Sequence, residues 1–442
     1  MIYFIYPYIN NYFWRKEMRK RLLFTIVGLL LVSSVLWAGG GKQSDQQGTS
    51  EPVRFLMSGM MSGPNAESGR QVRMAAETGT WYINEVLGGF KSLGGRKVEM
   101  IIVDSTSDAA QAAAPFEQAL SRTKFGVVIG NPNSSISLVN QPIAEAYQIP
   151  QITSAAANIR LSQGGFKYTF QLSATPAMAV IPVQMAFLEY YAGLIGKSKA
   201  ELKLGVIFAD DAWGTDNANA TRAQFTEGGY NVVFNQSYNI PTFTDATPLV
   251  TALRNAGVDV LLPSSYPSDL SLIFTAMGAL NYKPLIVGGG AGMTWPSLYA
   301  DLGRATDGIT SVDGWVWNQR GAREHKGWQQ MNEWYEKRFN EFLPGQGGPT
   351  LMSIMLAYAA IEKAASDDPV KIRDALYTLN RDNCEWFTIP NGYGKFDPVT
   401  GQNTGAGAVM MQWQGGRPKA VFPPDLAAVP VLNPLTMQPF RK

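Results

Sequence analysis

Two adjacent serines, Ser134 and Ser135, stand in the stretch GNPNSSIS, directly after the apolar run FGVVI. Small residues there let backbone amides approach a ligand, and serine hydroxyls donate to an anionic group such as a carboxylate. A structural reading competes, because Gly, Asn, Pro and Ser are ordinary turn residues and one serine would cap the helix SISLVNQPIAEAY. The segments TSAAAN, ADDAWG, PSSYPSD and GGGAGMTW repeat the pattern after other apolar runs. Two of them carry Trp213 and Tyr266, which would form either an apolar wall of a cleft or packing over a lobe. Asp210 and Asp211 do not make a carboxylate pair, since neighbours at a strand end point to opposite sides.

Catalytic signatures are missing where enzymes of the common classes would show them. His325 is the sole histidine and lies among charges in AREHKGW, as expected of a solvated helical residue. No second His or Cys joins it to hold zinc. GGGAG is followed by no Lys-Ser/Thr, so it is not a phosphate loop, and no serine sits in a nucleophile elbow. The chain is expected to be no enzyme and to need no cofactor or metal.

The segments that would carry a ligand all end apolar runs, and those runs define the architecture. VRFLMSG, KVEMIIVDS, FGVVIG, IPQITSAA, KLGVIFADD, YNVVFNQSY, VDVLLPSSY, KPLIVGGG and DGITSVDGW alternate with longer helical stretches. Continuous β-branched runs imply strands buried on both faces, as in parallel sheets. In GRQVRMAAETGTWYINEVLGG, helical spacing puts Val72, Ala75, Ala76, Gly79, Ile83, Val86 and Leu87 on one side, and Gly88 with Gly89 stops the helix. The strand and helix series runs from about 51 to 172 and starts again at Leu202. An α/β chain of two parallel lobes follows. The helical stretches beyond 314 have no strands of their own and should pack back on the first lobe, which makes the chain cross between lobes repeatedly, as in a hinge. In open α/β sheets ligands bind beyond the carboxyl ends of strands, which is where the small-residue segments fall.

With 442 residues, 45% of them hydrophobic, the chain can fill two cores. The formal net charge is only +2, with no basic stripe, so nucleic acid is excluded as a partner. Arg15, Lys16, Arg19, Lys20 and Arg21 precede LLFTIVGLLLVSSVLW and Ala38, the layout of a secretory signal peptide, with Met18 a plausible true start. An uncleaved membrane anchor is the other reading. Cleavage after Ala38 removes a net charge of +4 and leaves the remainder near −2. A polar linker, 39–52, follows. Cys384 is the only cysteine, so no intrachain disulfide forms. Export without disulfides suits a periplasm.

In this order, MSGPNAESGRQVRMAAE, INEVLGGF, GGRKVEMIIVDS, VVIGNPNSSIS, IPQITSAAAN, GVIFADDAWG, PTFTDATPLVTALRNAGVDVLL and AYAAIEKA resemble the branched-chain amino acid binding family. These are the type I periplasmic solute-binding proteins that feed ABC importers. The resemblance, from Val53 to about Trp413, implies two Rossmann-like lobes joined by a multi-segment hinge that close on a small ligand. It implies lobe 1 at 51–172 plus 314–397 and lobe 2 at 173–313 plus 398–430, with an ABC permease as partner. By the same resemblance, Ser134 matches the serine that holds a ligand carboxylate, and Ala155 and Ala156 match loop positions whose backbone contributes. Trp213 and Tyr266 match aromatics of the second lobe. Two positions depart. Ala157 replaces a hydroxyl residue, and Gly290 falls where an acid meets the ligand's α-ammonium. Glu67, Asp211 and Asp269 are the candidates to replace that acid. The implied ligand is an amino acid of the branched-chain type, with an aromatic or keto acid, or a urea-like amide, as alternatives. A ligand-sensing ectodomain would share the fold.

Overall fold

The computed structural model describes residues 51–387 and 394–440. The expected signal peptide and nearly all of the linker lie outside the described residues.

Every apolar run named above forms a strand. The first sheet is built of β1 (Val53–Gly59), β2 (Val98–Asp104), β3 (Val127–Gly130), β4 (Gln151–Thr153) and β5 (Thr169–Gln171). Its order is β2-β1-β3-β4-β5 and every pairing is parallel. The second sheet holds β6 (Lys203–Ala209), β7 (Asn231–Tyr238), β8 (Val260–Ser264), β9 (Leu285–Gly288) and β10 (Thr310–Asp313). An antiparallel edge is added by β11 (Val409–Trp413) and β12 (Pro418–Phe422). The order is β12-β11-β10-β9-β8-β6-β7. β3, β8 and β9 are buried along their whole length, as continuous β-branched runs require. β7 instead alternates exposed and half-buried positions because it lies at the sheet edge with one neighbour.

Helix α1 (Ala66–Trp81) buries Val72, Ala75, Ala76 and Gly79. A π-helical turn, Tyr82–Val86, then adds a residue to the winding and shifts the face. Ile83 therefore stays in the core, whereas Val86, assigned to the same stripe by its spacing, turns outward and is 39% exposed. Between the sheets' strands run α2 (Ala109–Arg122) and α3 (Ser134–Ala146) in the first lobe. The second lobe has α4 (Ile181–Leu194), α5 (Ala212–Glu227), α6 (Thr247–Asn255), α7 (Pro267–Ala279) and α8 (Pro296–Leu302). Pro176–Leu194 is long and apolar enough to cross a membrane by composition, yet its Ile181, Phe187 and Leu188 lie in the second lobe's core.

Beyond β10 the chain returns to the first lobe as α9 (Lys326–Phe339), α10 (Gly347–Ala364) and α11 (Pro369–Thr378). These helices share one apolar cluster with β1 and α1. Gly79 is what admits α10, since a Cβ there would lie 2.9 Å from Ile354. The chain thus passes from one sheet to the other after β5, after β10 and before β11.

Candidate ligand cleft

The carboxyl ends of β3 and β4 face those of β6, β8, β9 and β10 across a cavity of about 70 Å³. Ala155, Ala157, Trp213, Tyr266 and Gly290 line it together. So do two residues from each passage between the sheets, Ser173 with Ala174, Asp313 with Gly314, and Gly407 with Ala408. The cavity is therefore walled by both lobes and by all three connecting segments. Trp213 and Tyr266 are buried and tilted against each other, with ring centroids 5.5 Å apart. Ala157, from the first lobe, belongs to the same apolar cluster.

Ser134, Ser135 and Ala156 lie beside the cavity rather than on its wall. Helix α3 is capped not by a serine but by Asn133, directly before Ser134; the Asn133 side-chain oxygen accepts from the Ile136 amide at 3.2 Å. Ser134 is buried, and its Oγ accepts from the amides of Ala157 and Asn158, each at 3.2 Å. It shapes the TSAAAN loop, and its hydroxyl hydrogen is left to donate elsewhere. Ser135 Oγ accepts from the Ala212 amide of the other lobe at 3.4 Å. Further bonds span the cleft. Asn158 Nδ2 donates to the Ala212 carbonyl at 2.6 Å, the Ile159 amide to Asp216 at 3.1 Å, and Asn133 Nδ2 to the Tyr266 hydroxyl at 3.2 Å. These bonds join the two sides of the cleft directly.

The three acids expected as substitutes at Gly290 are engaged elsewhere, and none is on the cavity wall. Glu67 is paired with Arg70 at 2.7 Å. Asp211 accepts from the Tyr266 hydroxyl at 2.6 Å and caps α5 through the Gly214 amide at 2.7 Å. Burial pushes its carboxyl up, against those hydrogen bonds. Burial likewise raises Asp269, which accepts from the Tyr266 amide and the Tyr238 hydroxyl. Burial and the nearby Asp211 carboxylate hold the Tyr266 phenol well above its ordinary value.

The acid on the wall is Asp313, at the end of β10. Burial pushes its carboxyl up to about 6, opposed by the Thr294 hydroxyl, 3.0 Å away, and by the amides of Gly314 and Trp315. The run DGITSVDGW is legible as a strand, and the strand-end rule applied to it leads to Asp313. Gln346, also on the wall, accepts from Ser68 at 2.6 Å. His325 lies outside the cleft and is no interior helical residue. It caps α9, its Nδ1 accepting from the Trp328 amide, while Nε2 meets Glu385 at 3.1 Å.

The sequence model of the periplasmic binding protein family matches residues 52–417. The Leu/Ile/Val-binding protein homolog 7 of Brucella suis is 26% identical over 417 residues, covering 93% of this chain and 98% of that protein. Homolog 8 of Brucella abortus is 25% identical, covering 84% and 90%. In fold, the chain is similar to a branched-chain amino acid ABC transporter protein from Thermus thermophilus with bound valine, at a TM-score of 0.71, 21% identity and coverage of 86% and 97%. A leucine binding protein from Thermotoga maritima gives 0.70 at 20% identity, covering 84% and 99%. The chain belongs to the periplasmic binding protein family, alongside the Leu/Ile/Val-binding protein homologues.

Proposed function

We propose that this chain is an exported solute receptor that closes on a small carboxylate-bearing ligand, of the branched-chain amino acid type, and presents it to an ABC permease. The supporting observation is the cavity itself: both lobes and all three connecting segments wall it. A ligand there touches every part that must move. Lobes 51–172 with 314–397 and 173–313 with 398–430 would be the moving bodies, and the ligand favours closure only through its greater affinity for the closed form. The first-lobe side, where Ala155 and Ala157 line the wall with Ser134 behind them, would take the carboxylate, and Trp213 with Tyr266 would cover the aliphatic part. Export follows from the basic and apolar N-terminus. The role is binding without turnover.

Calorimetric titration with leucine, isoleucine and valine tests this reading. Saturable binding of any of them supports it. No heat from all three, with binding of aromatic acids or ureas instead, would move the ligand class while keeping the receptor role.

A further inference from the structure

We propose that Asp313 is the carboxylate that receives the ligand's ammonium, so that the cleft selects a small zwitterion with a short apolar side chain over the corresponding keto acid or amide. This rests on the receptor reading above. Gly290 and Asp313 end adjacent strands, since Gly288 of β9 pairs with Ser311 of β10 and the Gly290 amide donates to Ser311 Oγ at 3.2 Å. Asp313 thus stands one strand along the same rim from Gly290.

Among the described residues lining the cavity, Asp313 is the only ionisable carboxylate, and no Lys, Arg or His shares the wall. No cation pairs with it among the described ion pairs. A carboxylate enclosed with only neutral donors is incompletely compensated, and a cationic ligand group completes it. The surroundings hold that group in place. The Gly345 amide, from the first lobe, donates to Thr294 Oγ1 at 3.2 Å, which leaves the Thr294 hydroxyl hydrogen directed to Asp313. A Cβ at Gly345 would lie 2.0 Å from Asp313 Oδ2 and 2.3 Å from Thr294 Oγ1, so only glycine leaves the carboxylate room. A keto acid would bring a second negative charge into the same enclosed space with no cation to offset either, and like charges at that range repel. Ala155, Ala157, Ala174, Val180 and Val312 on the walls fit a short aliphatic chain.

The purified protein and its Asp313→Asn variant are titrated with leucine, 4-methyl-2-oxopentanoate and 3-methylbutylamine. Leucine should bind wild type about 100-fold more tightly than the keto acid, and the substitution should remove about that factor for leucine while sparing the keto acid. Equal binding of leucine and keto acid by wild type overturns the role of Asp313 and leaves the receptor reading intact. That comparison stands even if the variant does not fold. Binding of the amine alone, lost in the variant, supports Asp313 and overturns the amino acid reading. Silence from all three probes, with isoleucine and valine silent as well, overturns the role of Asp313 and the branched-chain ligand class while leaving the receptor role.

Discussion

At the scale of single residues, the cleft's chemistry turns on a carboxylate that burial has brought into the physiological range. Thr294, the amides of Gly314 and Trp315, and Gly345 from the opposite lobe surround Asp313, and none of these groups titrates. The ligand-free carboxyl is held at about 6. An ammonium prefers the ionised form, so affinity should be full well above that value and fall about tenfold per pH unit below it. Titrations from pH 5 to 8 check this, and Asp313→Asn should flatten the profile. Stability runs the other way. The folded state takes up the proton more readily than the unfolded chain, so the group's contribution is complete below the ordinary value of 3.8 and is lost as pH rises through about 6. Asp313→Asn should therefore stabilise the ligand-free protein near neutrality, by at most about 3 kcal/mol, with the gain vanishing near pH 4. Urea melts at the two pH values measure it.

Elements explain why the fold was so legible and the cleft only partly so. Runs such as KLGVIFADD and VDVLLPSSY fix strands on their own, because continuous apolar residues suit only a sheet covered on both faces. β5 has three residues; YTFQLS alternates apolar and polar types but is short, and β4 offers the edge it pairs with. The antiparallel β11 and β12 sat in a Gly/Pro-rich end and depend on β10 in the same way. Val86 was misplaced because a π turn alters the period that spacing arguments assume. Ser135 gave no sign of its bond to Ala212, a contact across 77 positions. Close approach between elements is similarly invisible in the sequence. Gly348, near the start of α10, lies against Trp315 where the chain leaves β10, and a Cβ there would fall 2.1 Å from the indole ring. Gly348→Ala should cost about 1–3 kcal/mol in denaturant unfolding, because neither α10 nor the buried indole has room to retreat.

For the whole molecule, closure is written in the bonds that cross the cleft. Tyr266 is central among them, its hydroxyl donating to Asp211 of its own lobe while accepting from Asn133 of the other. Tyr266→Phe removes the cross-cleft acceptor and leaves Asp211 without its closest donor. It should weaken ligand affinity by about tenfold, the worth of one buried hydrogen bond at the interface, with most of the change in the dissociation rate. Stopped-flow tryptophan fluorescence follows it through Trp213, whose ring is tilted against that of Tyr266 with centroids 5.5 Å apart. Ligand binding and closure should be one event. Small-angle scattering of the purified protein with and without saturating leucine addresses it directly. A fall in the radius of gyration on adding leucine, with the liganded curve matching the structure described here, is the expected result. Bound leucine with an unchanged scattering curve would contradict the account.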